Sequence, residues 1–202
     1  MPLNDKYNTL YRKQNPFGEK EEEIVRNILK YRSSGTVLDL GAGQGRNALF
    51  LANIGFNVTA IDVSKIGIKM VKKQATEKNI KINVVVGDIK NLDKSKIYDV
   101  ILLIFVLHHL SNLDARRLIA QVRSQTAVSG LNVVATFTKN GDFYRNNPKT
   151  DYFYPNEREL KDIYFGWEIL EWDEKTTRAF QKTSEGKPMF NMTSFLIARK
   201  PV

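Results

Sequence analysis

Apolar positions recur with helical spacing near the N-terminus and in shorter, strand-like runs further on. Ile24, Val25, Ile28 and Leu29 share one helical face, which predicts a helix over Glu19 to Tyr31 that ends before Ser33-Ser34-Gly35. Glu19 and Glu21 to Glu23 suit its positive N-terminal end. The preceding stretch, Tyr7 to Gly18, is polar and aromatic and contains Asn15-Pro16, so a loop or short helix lying over the core is expected there.

From Thr36 onward strands and helices alternate. Strands are predicted at Thr36 to Leu40, Asn57 to Ile61, Ile82 to Val86, Tyr98 to Val106 and Leu131 to Thr138. Helices are predicted at Arg46 to Ile54, at Ser64 to Lys78 with Ser64 as the cap, and at Ser111 to Ser129, closed by Gly130. The run Val100 to Leu107 is apolar without alternation, as a strand covered by helices on both faces must be. Further on, Asn156 to Phe165 reads as helix and Trp167 to Trp172 as strand. Ser194 to Arg199 reads as a last strand, reached about twenty residues later through a turn at Glu185-Gly186-Lys187-Pro188. The expected fold is α/β: a Rossmann-like, doubly wound, mostly parallel seven-stranded sheet with an antiparallel C-terminal edge pair and helices on both faces. A single domain spans residues 1–202. Its N-terminal lid and helix are expected at 1–35, a cofactor-binding half at 36–138, and a substrate side with the C-terminal strands at 139–202.

Composition narrows the chemistry. No cysteine is present among the 202 residues, which removes disulfides, thiolate metal sites and cysteine nucleophiles, and no metal site is expected. The longest apolar run is eight residues, far below the ~20 that a membrane-spanning helix needs, and the N-terminus lacks the apolar core of a secretory signal. A soluble, cytoplasmic protein is the expectation. The net charge of +9 is spread over the chain, with Lys69, Lys72, Lys73 and Lys78 on one predicted helix, so nucleic acid is an allowed partner that no tract indicates.

The chemistry-bearing stretch is Gly41-Ala42-Gly43-Gln44-Gly45, which follows one strand and precedes a helix, the place where open α/β sheets bind ligands. A dinucleotide fingerprint needs glycine at position 46, where Arg46 stands, and no phosphate-binding G-x-x-x-x-G-K-[ST] occurs. A ligand without phosphates fits better. Asp62 ends the second strand, seventeen residues after Gly45, and Asp88 ends the third, followed by Ile89. An acid in each place suits ribose hydroxyls and an adenine amine respectively, although an aspartate after a strand also serves as a cap or turn former.

The stretch Asp39 to Ala52, with Gln44-Gly45-Arg46-Asn47 at its centre, followed by Gly55 to Asp62, resembles the tellurite-resistance (TehB-type) branch of class I methyltransferases. The resemblance continues through Tyr98-Asp99, Gly130-Leu131-Asn132, Gly166-Trp167-Glu168 and Ala198-Arg199-Lys200, and covers roughly residues 36–200. It implies S-adenosylmethionine as cofactor, a small-molecule acceptor, and a cofactor site made of Asp39, Gly41, Gly43, Arg46, Asn47, Asp62, Val63, Asp88, Ile89 and Phe105. A metalloid oxyanion such as tellurite becomes one expected acceptor. Two departures stand out. Ala42 replaces a usual cysteine, and Arg178-Ala179-Phe180-Gln181-Lys182 lacks the family's His-Arg pair, which weakens the tellurite expectation.

His108 and His109 follow the fourth strand, at the mouth of the expected site, and are candidates to take a proton from an acceptor. Packing under the loop and capping the helix at Ser111 explain them as well. Tyr7, Tyr11 and Arg12 are lid candidates over the methyl group, and Arg145 and Arg178, with Lys182, are candidates to hold an anionic acceptor. Three alternatives remain: an RNA- or protein-directed methyltransferase, a nicotinamide oxidoreductase, and a non-catalytic cofactor-binding module. After the fourth strand the chain reads Phe105-Val106-Leu107-His108-His109, not the Asn/Asp-Pro-Pro-Tyr/Phe of exocyclic-amine nucleic-acid methylation, and no paired glutamates follow as arginine methylation wants.

Overall fold

The computed structural model describes residues 2–13, 16–146, 151–183 and 185–202, with the backbone alone at 180 and 181. Asn15 of the expected Asn15-Pro16 loop lies outside the described residues. Seven strands are seen: β1 (Thr36–Leu40), β2 (Asn57–Asp62), β3 (Asn83–Val86), β4 (Tyr98–Ile104), β5 (Thr126–Phe137), β6 (Glu168–Lys182) and β7 (Pro188–Arg199). They form one sheet in the order β3-β2-β1-β4-β5-β7-β6. The pairs from β3 to β5 are parallel, and β7 runs antiparallel to both β5 and β6.

The helices are α1 (Leu3–Lys13), α2 (Glu23–Arg26), α3 (Arg46–Asn53), α4 (Lys65–Glu77), α5 (Asn112–Ser124), α6 (Asp142–Asn146) and α7 (Glu159–Ile163), with 3-10 turns at Asn27–Lys30 and Leu107–His109. The period of two along β4 explains its unbroken apolar run. Val100, Leu102 and Ile104 pack with Ile24, Ala48 and Leu51 on one face, while Ile101 and Leu103 pack with Ala115, Leu118 and Ile119 of α5 on the other. Chain order runs from β1 outward to β3 and then returns to β4 on the opposite side of β1, so the loops after β1 and β4 face each other where the order reverses. Such a reversal opens a crevice for a ligand.

Several elements differ from the sequence expectations. The helix expected over Glu19 to Tyr31 is one α-turn plus a 3-10 turn, because Glu22 is extended (φ −66°, ψ 142°) and its amide donates to Asn47 Oδ1 at 2.9 Å. The helix expected to reach Ser129 ends at Ser124, and β5 begins at Thr126, which pairs with Tyr98. Gln125 makes the break: its side-chain amide donates to the carbonyls of Asp93 and Lys96 at 2.7 and 2.9 Å, tying the helix end to the preceding loop. The two C-terminal strands are not joined by about twenty residues. They are a long hairpin, and Thr177 Oγ1 bonds Thr193 Oγ1 across it at 2.6 Å. Its outer half alternates polar side chains on the solvent face, which an apolar count overlooks. Among the described residues no helix is long and apolar enough to cross a membrane.

Candidate active site

The loop leaving β1 is shaped by glycines in left-handed conformations, with φ of 74° at Gly41 and 56° at Gly43. A methyl group on Gly41 would meet the Val106 side chain at 2.7 Å, and one on Gly43 would meet the Tyr11 hydroxyl at 2.7 Å. Both positions therefore demand glycine for conformation and for close approach. The loop is tied to β2: the Gly41 and Ala42 amides donate to Ile61 O at 2.9 and 3.1 Å. The Gly43 amide donates to Asp62 Oδ2 at 2.8 Å.

Asp62 is the joint between loop and site. Its other oxygen accepts from the Ser64 amide at 2.7 Å, and the group is buried. Burial raises its pKa, opposed by those two amides. Asp39 sits behind the loop rather than in the cavity wall, which corrects its expected contact with a ligand. It accepts from the Ala48 amide in the first turn of α3, where Gly45 at the cap offers no side chain. Burial, with the nearby Asp62 charge, pushes the Asp39 carboxyl up to about 7, and its Oδ2 has no hydrogen-bond partner among the described residues.

The residues after the glycines reach back to the N-terminal segment. Arg46 pairs with Glu22 and donates to Phe17 O at 3.2 Å, and Asn47 accepts from the Glu22 amide. Helix α1 lies on α4, pinned by Asn8 Oδ1, which accepts from Ser64 Oγ at 2.8 Å and the Ile66 amide at 3.2 Å. This brings Tyr7 and Tyr11 over the loop with ring centroids 5.6 Å apart. Burial and the Asp62 charge push the Tyr7 phenol up to about 12 and raise Tyr11 as well.

Beyond β4 the chain turns sharply at Phe105, a non-glycine residue at φ 54° whose amide is held by Ala135 O at 2.8 Å. The 3-10 turn that follows sets His108 against Phe137, centroids 4.8 Å apart, and His109 against Tyr7, with the hydroxyl and Nε2 at 2.7 Å. His108 is buried, and burial followed by the His109 and Lys6 charges holds it well below its ordinary 6.5, so it is neutral. The helix α5 is capped by Ser111, whose Oγ accepts from the Asp114 amide at 3.1 Å, and not by a histidine. At the end of β3, Asp88 is exposed and accepts from the Lys90 amide at 2.9 Å, while Ile89 is buried behind it.

These groups surround one cavity of about 1150 Å³. Gly41, Gly43, Arg46, Asn47, Asp62, Val63, Asp88, Ile89 and Phe105 line it from the cofactor side expected in the sequence. Tyr7, Tyr11, His108, His109 and Arg178 line it from the others. Arg12 and Arg145 are exposed and stand outside the lining, which corrects their expected place beside an acceptor. Lys182, at the far end of β6, is also outside it. Sequence reasoning missed Gln44, whose Oε1 is buried without a donor among the described residues, and the aromatic wall of Phe137, Phe143, Tyr154 and Phe195. Phe137 carried one legible signal, its place at the C-terminal end of a parallel strand. The others belong to elements that only the folded sheet edge brings near.

The sequence model described as tellurite resistance protein TehB matches residues 4–193. A probable S-adenosyl-L-methionine-dependent methyltransferase TehB of Haemophilus influenzae is 29% identical over 176 residues, covering 87% of this chain and 61% of its own length. The chain thus spans about three fifths of that relative. A ubiquinone biosynthesis O-methyltransferase of Rickettsia akari is 32% identical over 123 residues, 61% of this chain and 48% of the other. The crystal structure of TehB from Haemophilus influenzae superposes with a TM-score of 0.80 at 26% identity, covering 98% of this chain and 66% of that one. The glycine loop, the strand-end acids and the antiparallel edge pair thus stand in a chain that belongs to the TehB family.

Proposed function

We propose that this protein is a methyltransferase that uses S-adenosylmethionine and acts on a small-molecule acceptor. The observation that carries the reading is the convergence of the glycine loop, Asp62 and Asp88, from three successive parallel strands, on one cavity in which Arg46 is already engaged by Glu22 and Phe17. A pyrophosphate would find an arginine spoken for and two carboxylates nearby. A cationic nucleoside finds acceptors.

In this reading Asp62 holds the ribose hydroxyls, Asp88 meets the adenine amine, and Ile89 lies beside the ring. Gln44 Oε1, unpartnered among the described residues, supplies an acceptor for the ammonium of the methionine end, and the glycine backbone admits that end at close range. The cofactor, when bound, supplies a methyl group on a sulfonium that needs no further activation. The protein's share is then to orient an acceptor and exclude water, tasks suited to α1 with Tyr7 and Tyr11 over the loop. The family's link to tellurite resistance makes a metalloid oxyanion one acceptor to test, and the O-methyltransferase relative supports an oxygen nucleophile.

Titration calorimetry with S-adenosylmethionine and with NADH tests the reading. Binding of the first and not the second is expected, and Asp62→Ala should weaken it at least about 100-fold, about 2.7 kcal/mol. Preference for NADH, or unchanged affinity in Asp62→Ala, refutes it.

A further inference from the structure

The cavity extends well past the groups assigned to the cofactor, and its far half is a wall of rings. Phe137, at the end of β5, is the hub. Its centroid lies 5.0 Å from Phe105, 4.8 Å from His108 and 5.0 Å from Phe143 of α6, the last edge-on at 86°. Phe195 on β7 closes on Phe105 at 6.4 Å, and Tyr154 closes on His108 at 6.1 Å. All six of these side chains line the cavity.

Charge is arranged against an oxyanion. His108 is neutral, Arg46 is paired with Glu22, and Lys90 lies 3.8 Å from Asp88. The remaining permanent cations of the lining, Lys6 and Arg178, are exposed, and the half-buried His109 imidazole is engaged by the Tyr7 hydroxyl. An anion desolvated among ring faces, whose electron density is negative, meets repulsion with no buried cation to offset it. A planar neutral ring meets offset and edge-on partners.

At the boundary between this wall and the glycine loop stands the Tyr7–His109 hydrogen bond of 2.7 Å. Tyr7 is held protonated by burial, so its hydroxyl can pass a proton on rather than act as a phenolate. Resting on the methyltransferase reading, we infer that the acceptor is a neutral aromatic hydroxyl compound, seated among Phe137, Phe143 and Tyr154 with its hydroxyl toward Tyr7. In the transfer an acceptor oxygen–carbon bond forms and the sulfonium–methyl bond breaks, leaving a neutral thioether. The acceptor's proton moves to Tyr7 oxygen as the Tyr7 proton moves to His109 Nε2, and the imidazolium then releases it to water.

The test uses the whole chain with catechol, 2-naphthol and tellurite as probes, reading S-adenosylhomocysteine release, with S-adenosylmethionine binding measured on the same preparation. Release with either phenol and none with tellurite is expected. Phe143→Ala should raise the KM for the phenol about tenfold and leave cofactor affinity unchanged. Cofactor binding with turnover of tellurite alone, or of none of the probes, overturns the aromatic acceptor and leaves the methyltransferase reading standing. An unchanged KM in Phe143→Ala overturns it too, and failure to bind the cofactor removes both.

Discussion

Asp39→Asn isolates the cost of a charge buried behind the glycine loop. Asp39 is 2% exposed, and burial places its carboxyl at about 7 against an ordinary 3.8. The folded chain therefore binds this proton more tightly than the unfolded chain does, and between about pH 4 and 7 stability falls as pH rises. The interval from 3.8 to about 7 is worth on the order of 4 kcal/mol once the group is ionised. Asparagine keeps an oxygen for the Ala48 amide and carries no charge. At pH 8 the variant should be more stable by about 2 to 4 kcal/mol, a rise in Tm of roughly 5 to 15 °C, whereas at pH 4 the two proteins should agree within about 1 kcal/mol. Urea denaturation without ligand, followed by circular dichroism from pH 4 to 8, measures the difference between them. Taking the difference matters because Glu159 and Glu171, both held below the usual carboxylate range, contribute the opposite slope to each protein. A difference that does not change with pH, or one that grows on acidification, refutes the reasoning.

Tyr164→Phe removes the donor to the buried Asn132 Oδ1 at 3.0 Å and should cost about 1 to 3 kcal/mol in urea denaturation, with the fold retained. Tyr7→Phe keeps the lid ring but breaks the 2.7 Å link to His109; with an aromatic hydroxyl acceptor, kcat should fall about 100-fold while cofactor affinity stays within a factor of about three. Asn8→Ala takes away the acceptor for Ser64 Oγ and the Ile66 amide, so amide exchange along α1 should quicken while that in β4 is unchanged. Equal protection of α1 in both proteins would show that Asn8 does not hold the lid.

Legibility in the sequence followed the range of the interactions involved. The strand Thr36–Leu40 is observed as expected, since a short run buried on both faces from Val37 to Leu40 stops at glycines that no strand tolerates well. Ser64 caps α4, as its position suggested, with Oγ accepting from the Gly67 amide at 3.0 Å. The helix over Glu19 to Tyr31 was misjudged because the competing partner of Glu22 is Asn47, twenty-five residues away. His109 follows the fourth strand and lines the cavity, yet its partner Tyr7 is 102 residues distant and no local spacing encodes that.

The sequence by itself determined the parallel core and the glycine loop with acids at the ends of the next two strands. Both rest on periodicity, on glycine's access to left-handed backbone, and on acids at successive strand ends, properties that neighbouring residues share. Only the tertiary structure decided that Asp39 lies behind the loop, that Arg12 and Arg145 stand outside the cavity, and that rings from β5, α6 and β7 enclose its far half. Those facts depend on how a sheet edge closes against a lid from the other end of the chain, and the separation of the contributing segments hides them from any local pattern.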